Sequence, residues 1–242
     1  MCTVTFVPRD KGGFILTSNR DEAPHRSPRQ ITQTELYRQA MLFPRDTGAG
    51  GTWMATSDKD RVVCLLNGAF QYHEHQPPYR KSRGLMLLEA FEYQALADFA
   101  KNYDFCEIEP FTLILCERMV LTELRWDGAQ KYIQRLDPQA RHIWASATLY
   151  TPEVIRKRKQ WFEDWQIDQE HNSASQILDF HQNAGDGDSW NDVVMDRSYV
   201  KTVSITQVVN DRREIRMDYH DLVNDNFKQA KITLKGEVVE SN

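Results

Sequence analysis

The chain has 242 residues, a formal net charge of −5, and 40% hydrophobic and 11% aromatic residues. That content supplies a sizeable core and excludes a disordered chain, while the mild acidity gives no reason to expect nucleic acid as a partner. No apolar run is long enough to cross a membrane.

The N-terminus lacks a basic segment followed by an apolar one, so no secretory signal is expected. Cys2, Cys64, Cys106 and Cys116 are scattered without a CxxC pair. They read as free thiols in a reducing, cytoplasmic setting rather than as a disulfide framework.

In chain order, strands at Thr3–Val7 and Phe14–Ser18 are expected to form a hairpin about Gly12-Gly13, dipeptides of this kind suiting a turn with positive φ. The antiparallel return carries Asn19-Arg20-Asp21 back towards Cys2 at the open end. Ala23–Thr34, with Pro24 and Pro28, reads as a loop, and Phe43–Gly51 as a glycine-rich turn region. A second hairpin follows, with strands at Thr52–Thr56 and Arg61–Leu66 and an exit at Asn67-Gly68. Ser82 is the expected N-cap of one helix running to about Asn102, on the spacing of Leu85, Leu88, Ala95, Leu96 and Phe99. Strands at Phe111–Cys116, Val120–Trp126, Lys131–Leu136 and His142–Ser146 come next. Thr151-Pro152 opens a helix to about Trp165, which buries Val154, Ile155, the Arg158 stem, Trp161 and Phe162. A further helix at Ala174–Ala184 ends before Gly185, a suitable C′ residue. Late strands are expected at Tyr199–Val209, Glu214–Tyr219 and Lys231–Leu234. Strands in runs with helices grouped between them point to an α+β fold of antiparallel sheets covered by helices. No repeat or linker divides the chain, so residues 1–242 read as a single domain.

The chemistry centres on Cys2. Removal of Met1 ahead of a small residue leaves a thiol and an α-amine on one residue. An amine of pKa about 7.7–8.0 can take the thiol proton. Arg20 nearby would favour the thiolate, and Asp21 would orient the α-ammonium. The plainer readings are a buried small residue for Cys2 and a surface ion pair for Arg20 and Asp21. Asn67 is either an oxyanion donor at a strand exit or a turn residue. His73-Glu74-His75 lies in a polar loop beside Pro77-Pro78, so no metal is expected there. Gly48-Ala49-Gly50-Gly51 lacks a P-loop lysine, and Asp186, Asp188 and Asp192 lack the rest of a calcium loop. Arg156–Lys159 reads as a solvated helix face and His181 as a core histidine.

Ser18-Asn19-Arg20-Asp21-Glu22, 16 to 20 residues after Cys2, resembles the NRDE family, also called the transport and Golgi organisation protein 2 family. Arg26, Gly51-Thr52-Trp53-Met54, Asn67, Ser82-Arg83-Gly84, Thr151-Pro152 and Thr202-Val203 extend the resemblance over most of the chain. Cys2-Thr3, Asn19 and Asp21 are also similar to the start of cysteine N-terminal nucleophile hydrolases of the choloylglycine hydrolase and penicillin V acylase kind. That resemblance implies a four-layer αββα sandwich and an amidohydrolase acting on a C–N bond of a small molecule. Cys2 is then the nucleophile and base, Asp21 the orienter and Asn67 an oxyanion donor. Asn19 and Arg20 complete the catalytic set, with Arg20 two residues beyond Ser18, where those enzymes carry arginine. Arg26, Trp53, Ser146 and Arg197 are the implied substrate-binding residues, Ser146 or Thr148 standing in for a second asparagine and Arg197 or Lys201 for a late arginine. Residues 71–81 and 183–192 are candidate rims of the pocket. The alternative is a non-catalytic carrier on the same fold, for haem or for a lipid or acyl ligand. Haem leads because eukaryotic relatives are associated with its mobilisation, and Cys2 or a histidine would be its axial ligand. No resident cofactor or metal is implied, and the oligomeric state is left open.

Overall fold

The first turn needs glycine. Gly12 and Gly13 take φ of 86° and 82°, and a side chain on Gly13 would meet the Asn210 carbonyl oxygen at 2.1 Å. The computed structural model describes residues 3–26, 30–167 and 173–235, so Cys2, with Met1, lies outside the described residues. In chain order the elements are β1 (Thr3–Pro8), β2 (Phe14–Glu22), β3 (Ile31–Leu36), β4 (Gln39–Pro44), β5 (Met54–Ser57), β6 (Arg61–Asn67), α1 (Arg83–Glu89), α2 (Leu96–Asn102), β7 (Phe111–Glu117), β8 (Val120–Trp126), β9 (Lys131–Leu136), β10 (His142–Ala145), α3 (Pro152–Ile167), α4 (Ala174–Asn183), β11 (Lys201–Asn210), β12 (Glu214–Asp221) and β13 (Asn226–Thr233).

Two antiparallel sheets result. One has the order β10-β1-β2-β11-β12-β13 and the other β3-β4-β5-β6-β7-β8-β9. Period-2 alternation gives each central strand two buried faces. Val4 and Phe6 of β1 point between the sheets, where they meet Met54, Cys64, Ile114 and Met217. Val7 points the other way, into a cluster with Ile15, Phe162 of α3 and Phe180 of α4. On the far side Val63, Leu65 and Leu113 pack against Met86 and Leu87 of α1 and Phe99 of α2. Helices, sheet, sheet, helices make four layers, the expected αββα sandwich. Each large apolar side chain so buried contributes about 1.5–3 kcal/mol.

Several boundaries differ from the sequence expectation. Ser18–Glu22 does not leave the sheet; it continues as strand, because β11 pairs along its other side from Lys201 opposite Glu22 to Asn210 opposite Phe14. The segment read as loop, Ala23–Thr34, holds the first part of β3, which runs on to Leu36 and returns as β4 through Tyr37 and Arg38, whose φ of 51° and 57° are reached without glycine or asparagine. The single helix expected over 82–102 is two. Ser82 does cap α1 by accepting from the Leu85 amide. The chain then passes through a 3₁₀ turn at Ala90–Glu92 and becomes extended at Tyr93 and Ala95. Arg61 takes the carbonyls of Tyr93 and Gln94, Gln39 takes that of Phe91, and Glu117 accepts from the Leu96 amide. Gly185 is not a left-handed C′ residue. It is glycine because a Cβ there would lie 2.2 Å from the Asp192 carboxyl carbon.

Candidate functional site

Asn19, Arg20 and Asp21 are adjacent on β2, so alternation sends Arg20 to one face and its neighbours to the other. Thr3 pairs with Asn19 in the β1–β2 ladder, which brings the strand end carrying these residues beside the start of β1.

Arg20 points between the sheets and is 2% exposed. Its guanidinium stands 4.3 Å over the Trp53 ring, donates to the Arg26 carbonyl at 2.8 Å and pairs with Asp46. Asp46 also accepts from Arg26 at 2.7 Å and from the Gly48 and Ala49 amides at 2.8 and 2.9 Å. Burial pulls the Arg20 guanidinium below its ordinary value, with Asp46 and Glu22 opposing. Burial pushes the Asp46 carboxyl up, but the Ala49 amide, Arg20, Arg26 and the Gly48 amide outweigh it, and the net shift is downward. Arg26 bridges Asp46 to Glu22, 2.8 Å away. The glycine-rich turn expected to be only a turn therefore supplies the carboxylate that anchors Arg20.

Asp21 and Asn19 face the helix layer. Asp21 is buried, and its carboxylate accepts from Tyr150 Oη and from Thr202 Oγ1, each at 2.5 Å. Thr202 Oγ1 in turn accepts from the Met195 amide at 2.9 Å. Asn19 donates to the carbonyls of His181 and Val193 at 3.0 and 2.9 Å and accepts from His181 Nδ1 at 2.5 Å. His181 Nε2 then accepts from Thr5 Oγ1 at 2.7 Å. These roles fix the imidazole as neutral with its proton on Nδ1. Burial, with Arg158 adding to it, lowers His181 to about 3. His181 is the core histidine that the sequence suggested.

A cleft of about 570 Å³ opens at this end of the sandwich. Arg20, Arg26, Trp53 and Asn67 line it, together with Thr52, Leu65, Ser82, Arg83, His75 and Glu109. α1 closes on it because Gly51 and Gly84 touch. A Cβ on Gly51 would lie 2.4 Å from the Gly84 carbonyl carbon, and one on Gly84 would lie 2.7 Å from the Thr52 carbonyl oxygen. Glu109 gathers the rim, 2.9 Å from Arg83 and 3.2 Å from both His73 and His75. No cluster suited to a metal is present among the described residues. The Asn67 side chain makes no hydrogen bond among the described residues, while its carbonyl accepts from Ser146 Oγ at 2.8 Å.

Four of the named residues thus share the cleft. Asn19 and Asp21 do not line it; they lie on the opposite face of β2. Ser146 is buried and reaches the site only through the Asn67 carbonyl. Arg197 donates to the carbonyls of Trp190 and Leu149 on the helix-layer side, away from the cleft. Tyr150 was not singled out; it stands directly before the recognisable Thr151-Pro152 helix start. The Arg156–Lys159 run read as a solvated face is solvated except at Arg158, which is 0% exposed. Arg158 falls in register with Val154, Ile155, Trp161 and Phe162, so the burial of its stem was legible but not that of its guanidinium.

The sequence model of the Transport and Golgi organisation 2 family matches residues 1–184. The chain belongs to this family. No curated protein matches it in sequence. Among solved structures it is similar to a Caenorhabditis elegans ortholog of N-acylethanolamine-hydrolyzing acid amidase, with a TM-score of 0.60 at 12% identity over 97% of this chain and 100% of that one. A mutant conjugated bile acid hydrolase from Clostridium perfringens gives 0.57 at 9% identity, covering 99% of this chain and 100% of that one. A second variant of the same hydrolase gives 0.51 at 8% identity, covering 98% and 100%. At such identities the likeness establishes the fold: an α+β sandwich of N-terminal nucleophile hydrolase type, adopted here by a Transport and Golgi organisation 2 member.

Proposed function

We propose that this protein is a cysteine N-terminal nucleophile hydrolase that cleaves a C–N amide bond of a small molecule. The observation that carries the reading is the buried Asp21 carboxylate, which stands on β2, the strand paired with β1, and accepts from the hydroxyls of Tyr150 and Thr202. The likeness in fold to an N-acylethanolamine-hydrolyzing acid amidase ortholog and to a conjugated bile acid hydrolase supports it.

In the proposed reaction Met1 is removed and the Cys2 α-amine takes the thiol proton. The thiolate attacks the amide carbonyl, and the oxyanion is held by Asn67. Each such donor is worth about 2.7–4 kcal/mol of barrier. The C–N bond breaks as the ammonium returns its proton to the leaving amine. Water, deprotonated by the same α-amine, then hydrolyses the thioester, releasing the carboxylic acid and the free thiol. Asp21 orients the amine, while Arg20, Arg26 and Trp53 shape the cleft. The cleft's charged side chains are largely ion-paired, which suits a small polar amide better than a broad apolar macrocycle such as haem.

The test is intact-mass analysis with an electrophilic amide or β-lactam probe, in a Cys106→Ser chain. Among the described residues Cys106 is the exposed free thiol, whereas Cys64 and Cys116 are buried. A mass lacking Met1 and one label, lost in Cys2→Ala, is the expected result. A retained Met1, or equal labelling of Cys2→Ala, overturns the reading.

A further inference from the structure

Arg158 is the least conventional residue in the helix layer. It lies on α3 and is 0% exposed, yet no carboxylate stands within ion-pair distance of it among the described residues. A cation taken from water without such a partner is costly. A methionine or leucine would fill its place with far less desolvation cost. What the guanidinium does there is specific. It donates to Thr3 Oγ1 and to the Asp192 carbonyl, and its Nη2 reaches the Asn191 carbonyl at 3.0 Å. Its carbon stands 3.8 Å over the Tyr150 ring, a cation–π distance. Tyr150 then donates to Asp21 at 2.5 Å.

We infer that Arg158 and Tyr150 are positioning residues for the reaction proposed above, on which this inference rests: Arg158 fixes the start of β1 through Thr3 and holds Tyr150 against Asp21. Two physical effects follow. A cation on the ring face draws charge from the phenol, which makes Tyr150 a stronger donor to the carboxylate. A fixed positive charge at the Thr3 hydroxyl disfavours a second one on the amine of the preceding residue. That amine is then kept in the neutral form that accepts the thiol proton. The planar fork matters: it serves a hydroxyl, two carbonyls and a ring face at once, and a lysine ammonium cannot. Among the described residues, the other charged or titratable groups around this point are His181, held neutral from α4, Arg197, 5.4 Å from the Tyr150 ring, and Asp192, whose carboxylate accepts from the Asp186 amide at 3.0 Å. Arg20 belongs to the opposite face of β2.

The experiment is the rate of Cys2 labelling by the β-lactam probe, read by intact mass between about pH 5 and 9, in the Cys106→Ser chain. The variants are Tyr150→Phe, Arg158→Lys and Arg158→Met. Tyr150→Phe keeps the ring for Arg158 and removes only the donor to Asp21. It should slow labelling at neutral pH roughly tenfold, the size of a lost hydrogen bond to a charged group, and displace the midpoint of the pH profile while the melting temperature stays near that of the parent. Arg158→Met should move the midpoint to higher pH, with Arg158→Lys between it and the parent. Profiles that superimpose on the parent's overturn the inference and leave the hydrolase reading standing. A parent chain that takes no label overturns both. If Arg158→Met fails to fold, Tyr150→Phe and Arg158→Lys decide.

Discussion

Asn19 and Asp21 stand two residues apart on one strand face and do different work. Asn19 is committed to α4, with donors on two carbonyls and its oxygen on His181 Nδ1; Asp21 is the carboxylate held ready by hydroxyls. The motif therefore joins a residue tied to the helix layer, a buried arginine anchored by Asp46, and a carboxylate that orients the amine in the proposed reaction. Separate expected roles for Arg20 and Asp21 were legible in the sequence, but not the partners that hold the three residues, because hydrogen-bond partners arrive from elements far away in sequence. His181 gives a test of the structural part. Its folded pKa of about 3 lies below the unfolded value of 6.5, so as pH falls through that window the unfolded chain binds a proton that the folded chain refuses. Stability is thus greatest above about pH 6.5 and declines towards pH 3, by on the order of 4 kcal/mol from this group alone. His181→Gln, whose amide can still bridge Thr5 and Asn19, should show a shallower decline in urea midpoint between neutral and acidic pH. An identical slope in the variant would remove His181 from the account of acid sensitivity.

The elements that sequence patterning placed well are those whose ends are set by local chemistry. The Gly12-Gly13 turn, the Ser82 cap, the β8 and β9 strands and the Pro152 start of α3 all fall where local signals put them. The elements it misplaced are governed by distant partners. The β3–β4 turn is made by Tyr37 and Arg38 at positive φ, residues that carry no turn signature. The break between α1 and α2 sits in a stretch with good helical spacing, and its cause is Arg61, more than thirty residues away on β6. Arg61 is 3% exposed and spans Glu117, the Tyr93 carbonyl and the Gln94 carbonyl. Arg61→Lys keeps the charge but cannot serve three acceptors from one fork. It should cost about 2–3 kcal/mol, the range for orphaning buried polar partners, seen as a lower urea midpoint with unchanged slope. An unchanged midpoint would mean that the break is encoded locally after all. Gly84 gives a companion prediction at the cleft. Gly84→Ala sets a methyl 2.7 Å from the Thr52 carbonyl oxygen, so α1 must retreat. The melting temperature should fall by about 2–4 °C for each kcal/mol lost, and a melting temperature equal to wild type would show that the helix yields without strain.

At the scale of the whole molecule, the two sheets and two helix layers share residues that belong to more than one interface. β2 is the clearest case: Leu16 packs between the sheets, Ile15 packs under α3 and α4, and Arg20 reaches Asp46 beyond the end of β4. The fold class was legible because runs of strands flanking grouped helices admit few layer arrangements. The cleft was legible only in part, because Asp46 and Glu109 reach it from segments with no pattern of their own. A sandwich tied together in this way should unfold as one unit, and its cysteines can report on that. Cys64 on β6 and Cys116 on β7 both point between the sheets. Burial pushes the Cys64 thiol up to about 12 and raises Cys116 as well, so neither offers a thiolate near neutral pH. Cys106 is exposed. In native protein an alkylating reagent should modify Cys106 within the dead time of a slow assay and leave Cys64 and Cys116 untouched. As urea is raised, the two buried thiols should become reactive together, at the midpoint given by far-UV circular dichroism. Reaction of Cys64 or Cys116 well below that midpoint would show that the sheets part before either loses its strands, and the cleft between them would then belong to a separable, weaker layer.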